Sequence, residues 1–358
     1  MGWYHGKQML EGDVPSAHLT TIVEPWFLGQ GADSPPGQAF AAWADEMRAA
    51  YGTKFCKGID ELEIKVIAAG VTHIYLEKPG APSVAELEEM MQYPKAKGVP
   101  VYMVYNKNVT PYVLKALAVQ QATPGAAIEF IHNNAYKTDE LAECFERNAG
   151  REGMLKNMAI HELALLATYF GVTVDNIDSV APDAEFSECL TLVGPSGKEF
   201  TDFARVGFTV TTKDGKSVTV KADRCGSTSG GNSVAIVSVD GSEVFRSETP
   251  DDELKAHCEA MAKADPEMMP YFFLQMLTAE IYRMRAKETE ACIKCGHSND
   301  RALPVQHDDY ITLKERATAH ILSGADGAPE GMATIEIALE TLKVAEYLTP
   351  MLTQALKN

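Results

Sequence analysis

The chain has 358 residues, room for about two domains at the usual ~100–200 residues each. Apolar residues make up 46% and charged residues 23%, a composition that can bury a core. Lys+Arg number 32 against 50 Asp+Glu, and a formal net charge of -18 repels phosphate backbones and anionic lipid, so nucleic acid and membrane surfaces are excluded as expected partners.

In chain order, the first half alternates strand-like and helix-like segments. His18–Glu24 is a short, mostly apolar run, followed by a Gly/Ser/Pro loop at 29–37. Ala39–Tyr51 has helical spacing, with Phe40, Trp43, Ala44 and Met47 recurring on one face. Glu63–Ala69 is also helical, and Thr72–Leu76 reads as a buried strand. Ser83 with Glu86 three residues later forms the signature of a capping box, so a helix opens there. Val99–Tyr105 is β-branched and aromatic, hence a strand.

The second half has a different grammar. Ala126–Ile131 is a strand, and Glu152–Phe170 contains an amphipathic helix ended by Gly171. From Asp175 to Ser247, alternating runs are separated by Pro195-Ser196-Gly197, Asp214-Gly215 and Asp240-Gly241, and Asp-Gly steps tolerate the positive φ of hairpin turns. Helices return at Pro250–Ala264, Pro266–Glu290 and Gly331–Leu356. The pattern predicts an α/β domain with a parallel sheet, Rossmann-like by the resemblance given below, followed by an α+β domain with a mostly antiparallel sheet. We expect domains at 1–120 and 121–330, with 331–358 a terminal helix packing back on the first.

No apolar run approaches the ~20 residues that span a bilayer, and the first seven residues lack the apolar stretch of a signal peptide. Seven scattered cysteines read as reduced thiols, so a cytoplasmic location is expected. Cys292-Ile293-Lys294-Cys295 invites a zinc reading, but no second Cys-x-x-Cys completes about four ligands, and no metal is expected. The methionines at 268, 269, 276 and 284 read as packing.

Three strings carry a resemblance. They are His73-Ile74-Tyr75-Leu76-Glu77-Lys78-Pro79 with the helix opening after it, Val101-Tyr102-Met103-Val104-Tyr105-Asn106-Lys107, and Gly153-Met154-Leu155-Lys156-Asn157-Met158-Ala159-Ile160-His161-Glu162-Leu163. In this order and spacing they resemble the glucose–fructose oxidoreductase and inositol dehydrogenase (Gfo/Idh/MocA) family. The resemblance implies hydride transfer between nicotinamide and a sugar, polyol or related hydroxy compound. Lys78 and His161 would handle the hydroxyl proton, with Asn157 at the position of the family's orienting aspartate. It further implies cofactor contacts from Gly2, His5, Glu24, Glu77, Lys78 and Pro79, and substrate contacts from Tyr105, Asn106 and Lys107. Glu24 at a strand end favours NAD over NADP, because a carboxylate there accepts from ribose hydroxyls and repels a 2′-phosphate. Homo-oligomerisation through the open sheet of the second domain is expected.

Against the family's pattern, the first strand, two glycines of the nucleotide loop and a second strand between Gly58 and His73 are missing, which are strands 1 and 4 in the order 3-2-1-4-5-6. We read this as an incomplete sequence. Asn157 can hold an imidazole by a hydrogen bond but cannot stabilise an imidazolium by charge. The sequence also places Asn157 and His161 on one face of one helix, with Glu162 pointing elsewhere as a surface or substrate-contact group. A non-catalytic binding or scaffold protein, and an imine or tetrapyrrole reductase on the same fold, are the alternatives.

Overall fold

A computed structural model of the chain describes residues 19–57, 71–134, 138–148, 153–226, 232–249 and 307–356, together with Met9, Val14 and Tyr136. The helices read from sequence at Glu63–Ala69, Pro250–Ala264 and Pro266–Glu290 lie outside these residues, as do Gly2, His5 and the Cys292–Cys295 pair. The chain divides into two units, one of residues 1–74, 92–101 and 314–329, the other of 75–91, 102–313 and 330–358.

In the first unit, β1 (Thr21–Val23) pairs in parallel with β2 (Lys54–Cys56), Ile22 opposite Phe55. Between them runs α1 (Pro35–Tyr51). Ser34 caps it, its Oγ accepting from the Gly37 N–H at 3.2 Å, and the helix begins on proline, whose missing N–H is no loss in a first turn. It stops at Gly52, whose φ of +67° is the left-handed conformation of a helix end. The apolar face of α1 packs as read from sequence: the Phe40 ring lies 5.5 Å from Trp43 and 5.9 Å from Phe55.

Among the described residues, two further sheets lie wholly or mostly in the second unit, Ile74 and Val101 of the smaller one belonging to the first. A short one has the order β12-β4-β3, built from β3 (Ile74–Glu77), β4 (Val101–Val104) and β12 (Ala333–Thr334). After β3 comes α2 (Val84–Ala96), and the capping box forms: the Ser83 Oγ accepts from the Glu86 N–H at 3.3 Å and donates to its carboxylate at 2.7 Å. β4 ends in a buried 3₁₀ turn, Asn106–Val109, before α3 (Pro111–Ala122).

The larger sheet has seven strands: β5 (Ala127–Asn133), β6 (Ile177–Pro182), β7 (Glu188–Val193), β8 (Glu199–Thr212), β9 (Ser217–Asp223), β10 (Ser233–Val239) and β11 (Ser242–Thr249). Its order is β11-β10-β5-β9-β8-β6, with β7 also on β8. Only the β5–β9 pair is parallel; the other five pairings are antiparallel. The turn at Asp240-Gly241 has both residues at positive φ, +49° and +77°, as a two-residue hairpin on right-twisted strands requires.

Helices cover this sheet. α3 packs on β10 and β11, and α4 (Thr138–Asn148) packs on β8, where Leu141 and Phe145 meet Ala204. α5 (Gly153–Asn157) is held at its start by Asp202, which accepts from the Met154 N–H at 3.1 Å and pairs with buried Arg224 at 2.7 Å. α6 (Ile160–Phe170) is the buried centre of the unit: Ile160 through Ala167 and Phe170 are all buried, and Gly171 ends the helix at φ +67°. α8 (Ile335–Leu356), which follows α7 (His307–Ser323) in the chain, packs on α6 with Ala338, Leu342, Ala345 and Leu352 fully buried. Each such leucine contributes about 1.5–3 kcal/mol. α8 also reaches the start of α2, where Glu346 accepts from Lys156 at 2.7 Å and from the Val84 N–H at 3.4 Å.

The helix expected within Glu152–Phe170, with both Asn157 and His161 on it, is interrupted. The Met158 and Ala159 N–H groups both donate to the Met154 carbonyl at 3.0 Å, so one wide turn separates α5 from α6.

Candidate active site

The second unit gathers most of the residues singled out from sequence. Lys78 follows β3, and its Nζ donates to the main-chain carbonyl of Asn157 at 3.2 Å. The Lys78–Pro79 peptide bond is cis. Because the wide turn intervenes, Asn157 ends one helix and His161 stands in the first turn of the next. The expectation of a shared face on one regular helix is therefore corrected, and Asn157 serves Lys78 through its carbonyl.

His161 is 7% exposed. Its ring meets Tyr105 edge-on at 6.2 Å and His132 at 6.4 Å, and its Nδ1 has no hydrogen-bond partner among the described residues. Burial first, then the cations of Lys78 and Lys107, hold its pKa well below the ordinary histidine value, so the ring is neutral at physiological pH.

Tyr105, Asn106 and Lys107 close β4 and enter the 3₁₀ turn, all three buried. Tyr105 Oη and both amide atoms of Asn106 are buried and without partners among the described residues. Burial also drives the phenol of Tyr105 well above its ordinary range, so it remains a donor.

Lys107 does something else. Its ammonium sits 2.5 Å from Glu162, with the two side chains 3% and 0% exposed. Glu162's other oxygen faces His132 Nδ1 at 3.2 Å, and the same nitrogen lies 3.1 Å from the Met158 carbonyl. Both neighbours are acceptors, so Nδ1 carries the proton and donates to them. Burial alone would raise the Glu162 carboxyl, but Lys107 and His132 outweigh it and hold it well below the usual carboxylate range. Burial lowers both Lys107 and His132, and Glu162 opposes the shift in each. Glu162 is therefore ionised, with Lys107 on one oxygen and His132 on the other. Of the two expectations for Glu162, a surface or a substrate-contact group, the surface is overturned by its burial.

Sequence reasoning missed His132, and a signal existed. Ile128, Phe130 and His132 alternate along β5, and the period of two places the histidine on the face of the buried Ile128 and Phe130. Glu162 had a signal too: it sits among Ile160, Leu163, Leu165 and Leu166, a helix apolar all round, where a carboxylate must be buried and paired.

In the first unit, the Glu24 main chain extends the β1–β2 pairing by donating to Cys56. Its carboxylate accepts from the N–H groups of Trp26 and Phe27 at 2.9 and 3.2 Å, which fixes it just past the strand end.

No family model and no curated protein sequence matches the chain. Solved structures do. An NAD-binding oxidoreductase from Klebsiella pneumoniae is similar at a TM-score of 0.59 and 15% identity, over 98% of this chain and 93% of that one. A scyllo-inositol dehydrogenase from Lactobacillus casei, with bound NAD(H) and scyllo-inositol, is similar at 0.56 and 12%, over 95% and 89%. A super-repressor mutant of Gal80p from Saccharomyces cerevisiae is similar at 0.52 and 11%, over 99% and 93%. At these identities the likeness is one of fold: a Rossmann-like parallel-strand region joined to a mostly antiparallel sheet, as in oxidoreductases of the Gfo/Idh/MocA fold.

Among the described residues no helix is long and apolar enough to cross a membrane, and no three His, Cys, Asp or Glu side chains could together hold a metal ion.

Proposed function

We propose that the chain is a nicotinamide-dependent oxidoreductase acting on a hydroxyl-bearing carbon of a sugar, polyol or related compound. The observation that carries this reading is the site around Lys78 and His161. An ammonium after β3 and a neutral imidazole act electrostatically on one another, and the imidazole ring meets Tyr105, whose Oη, like the Asn106 amide that follows it in the chain, is buried without a partner among the described residues. Buried polar atoms are nearly always hydrogen-bonded, so a hydroxylated ligand would supply partners that these atoms lack among the described residues.

One described residue, Glu24, supports a nicotinamide dinucleotide as the cofactor. Glu24, fixed past a strand end by two N–H groups, can accept from ribose hydroxyls and disfavours a 2′-phosphate, so NAD is the proposed form. Glu77, Lys78 and Pro79 would line the nicotinamide end, and Gly2 and His5 the phosphates. A bound nicotinamide supplies the hydride acceptor or donor. The chain's part is proton handling. Neutral His161 can take the hydroxyl proton during oxidation, and Lys78 can hold the oxygen as charge develops on it. Tyr105 and Asn106 would orient the substrate's remaining hydroxyls. Lys107, engaged by Glu162, would act on substrate only through its field.

One observation favours a second reading, a non-catalytic binding or scaffold protein: the residue at the aspartate position is an amide that serves Lys78 by its main chain.

Titration of the whole chain with NADH and NADPH, followed by nicotinamide fluorescence, separates the two. Saturable NADH binding, with turnover on a panel of inositols and aldoses that Lys78→Ala lowers by about 10²-fold or more, supports the enzyme. A folded chain that binds neither nucleotide refutes it.

A further inference from the structure

An imidazole that exchanges protons in a buried site needs an ionised partner, because its cationic form is otherwise too costly away from water. Residue 157, an amide, cannot be that partner by charge. The carboxylate the fold brings to the two histidines comes from the adjoining position on α6. Glu162 is 0% exposed and reaches His132 Nδ1 at 3.2 Å with one oxygen and Lys107 at 2.5 Å with the other. His132 stands between two acceptors, Glu162 and the Met158 carbonyl, so its tautomer is set and Nε2 is left with a lone pair. Met158 belongs to the wide turn that interrupts the helix, so the same backbone irregularity that separates His161 from residue 157 also supports His132. His132 then meets His161 ring to ring at 6.4 Å.

We propose that Glu162 is the positioning carboxylate of this site, fixing His132 directly and supplying the negative charge that lets the His132–His161 pair hold a proton. The inference gives proton handling in the proposed oxidoreductase its counter-ion, and it rests on that reading for its purpose. It does not make Glu162 or His132 a group that touches substrate.

The described groups facing this pair come from several elements. Lys107 from the 3₁₀ turn and Lys78 after β3 push the histidines toward neutrality. Glu162 acts on both in the opposite sense. Tyr112 from α3 and Asp309 from α7 complete the surroundings, the first feeling Glu162's charge and the second acting on Lys107.

The test is long-range ¹H–¹⁵N NMR of the full chain with ¹⁵N-labelled histidine, across pH, for the unaltered protein, Glu162→Gln and Glu162→Asp. In the unaltered chain His132 is expected with its proton on Nδ1. In Glu162→Gln the titration midpoints of His132 and His161 both fall by about 1 unit or more, the scale of losing an opposite charge within hydrogen-bond reach. Glu162→Asp, which keeps the charge, restores part of the shift. On any substrate turned over, the acid limb of the kcat/KM–pH profile moves to lower pH in Glu162→Gln, since the base stays neutral further into acid. An Nε2-protonated His132 in the unaltered chain overturns the proposal, as do midpoints that stay within about 0.3 unit in a folded Glu162→Gln. The tautomer needs no variant, so a variant that fails to fold leaves the proposal open to refutation. NADH binding measured on the same samples keeps the two readings apart. Shifted midpoints without nucleotide binding refute the oxidoreductase and uphold Glu162's effect on the histidines. Nucleotide binding with unmoved midpoints does the reverse.

Discussion

Replacing Lys107 by methionine keeps most of the side-chain volume and removes its charge, which leaves the Glu162 carboxylate fully buried beside a neutral neighbour. At the observed 2.5 Å separation, two unit charges in an effective dielectric of about 20 attract by roughly 7 kcal/mol. Burying the two ions costs several kcal/mol each, so the intact pair is close to balanced and adds little net stability. Breaking it is different, because the desolvation of the survivor is no longer offset. Lys107→Met is expected to lower unfolding stability by about 3–5 kcal/mol. The double variant Lys107→Met/Glu162→Gln removes both charges and leaves an amide oxygen to accept from His132. It should cost less than the single change, about 1–2 kcal/mol, the scale of one altered buried hydrogen bond. Urea denaturation of the four proteins in a double-mutant cycle, read by tryptophan fluorescence and circular dichroism, measures this directly. If Lys107→Met lies within about 1 kcal/mol of the parent, or if the two single costs simply add, the carboxylate is not an ion held by that lysine and the account of the site fails.

Glu24→Ala is expected to weaken NADH binding while narrowing or reversing the preference over NADPH, and equal losses for both nucleotides would argue against a ribose contact. Asp202→Ala removes the acceptor at the start of α5 and the partner of buried Arg224, so a loss of about 2–4 kcal/mol is expected in thermal unfolding; a change below 1 kcal/mol would contradict that support. Acid should destabilise the protein in two stages. His132 and His161 have lowered pKa values when folded, so the unfolded chain binds more protons as pH falls below the ordinary histidine value of 6.5, and stability drops by up to about 1.4 kcal/mol per pH unit for each. Glu162 is depressed when folded, so its contribution is present above the ordinary glutamate value of 4.5 and is lost as pH falls below it. The melting temperature should therefore decline from pH 7.5 to 5.5, less steeply in His132→Gln, and a flat profile would refute buried neutral histidines.

Local chemistry made much of the architecture legible in the sequence. Periodicity, the Ser83 capping box and the Asp-Gly turns are written in neighbouring residues, and the structure follows them into α2, the β8–β9 and β10–β11 hairpins and the parallel-then-antiparallel plan. The strings around Lys78, Tyr105 and His161 could be found for the same reason. What the tertiary structure alone decided is how those side chains are employed. Asn157 acts by its carbonyl because a wide turn after Met154 breaks the regular helix on which the sequence had set it beside His161. Lys107, expected to meet substrate, is engaged by Glu162, 55 residues away, and His132 meets the same carboxylate from 30 residues away. Helical and strand periods report which face a residue occupies. They carry nothing about which distant element will be laid against that face, and the pairing of a buried charge is settled only there.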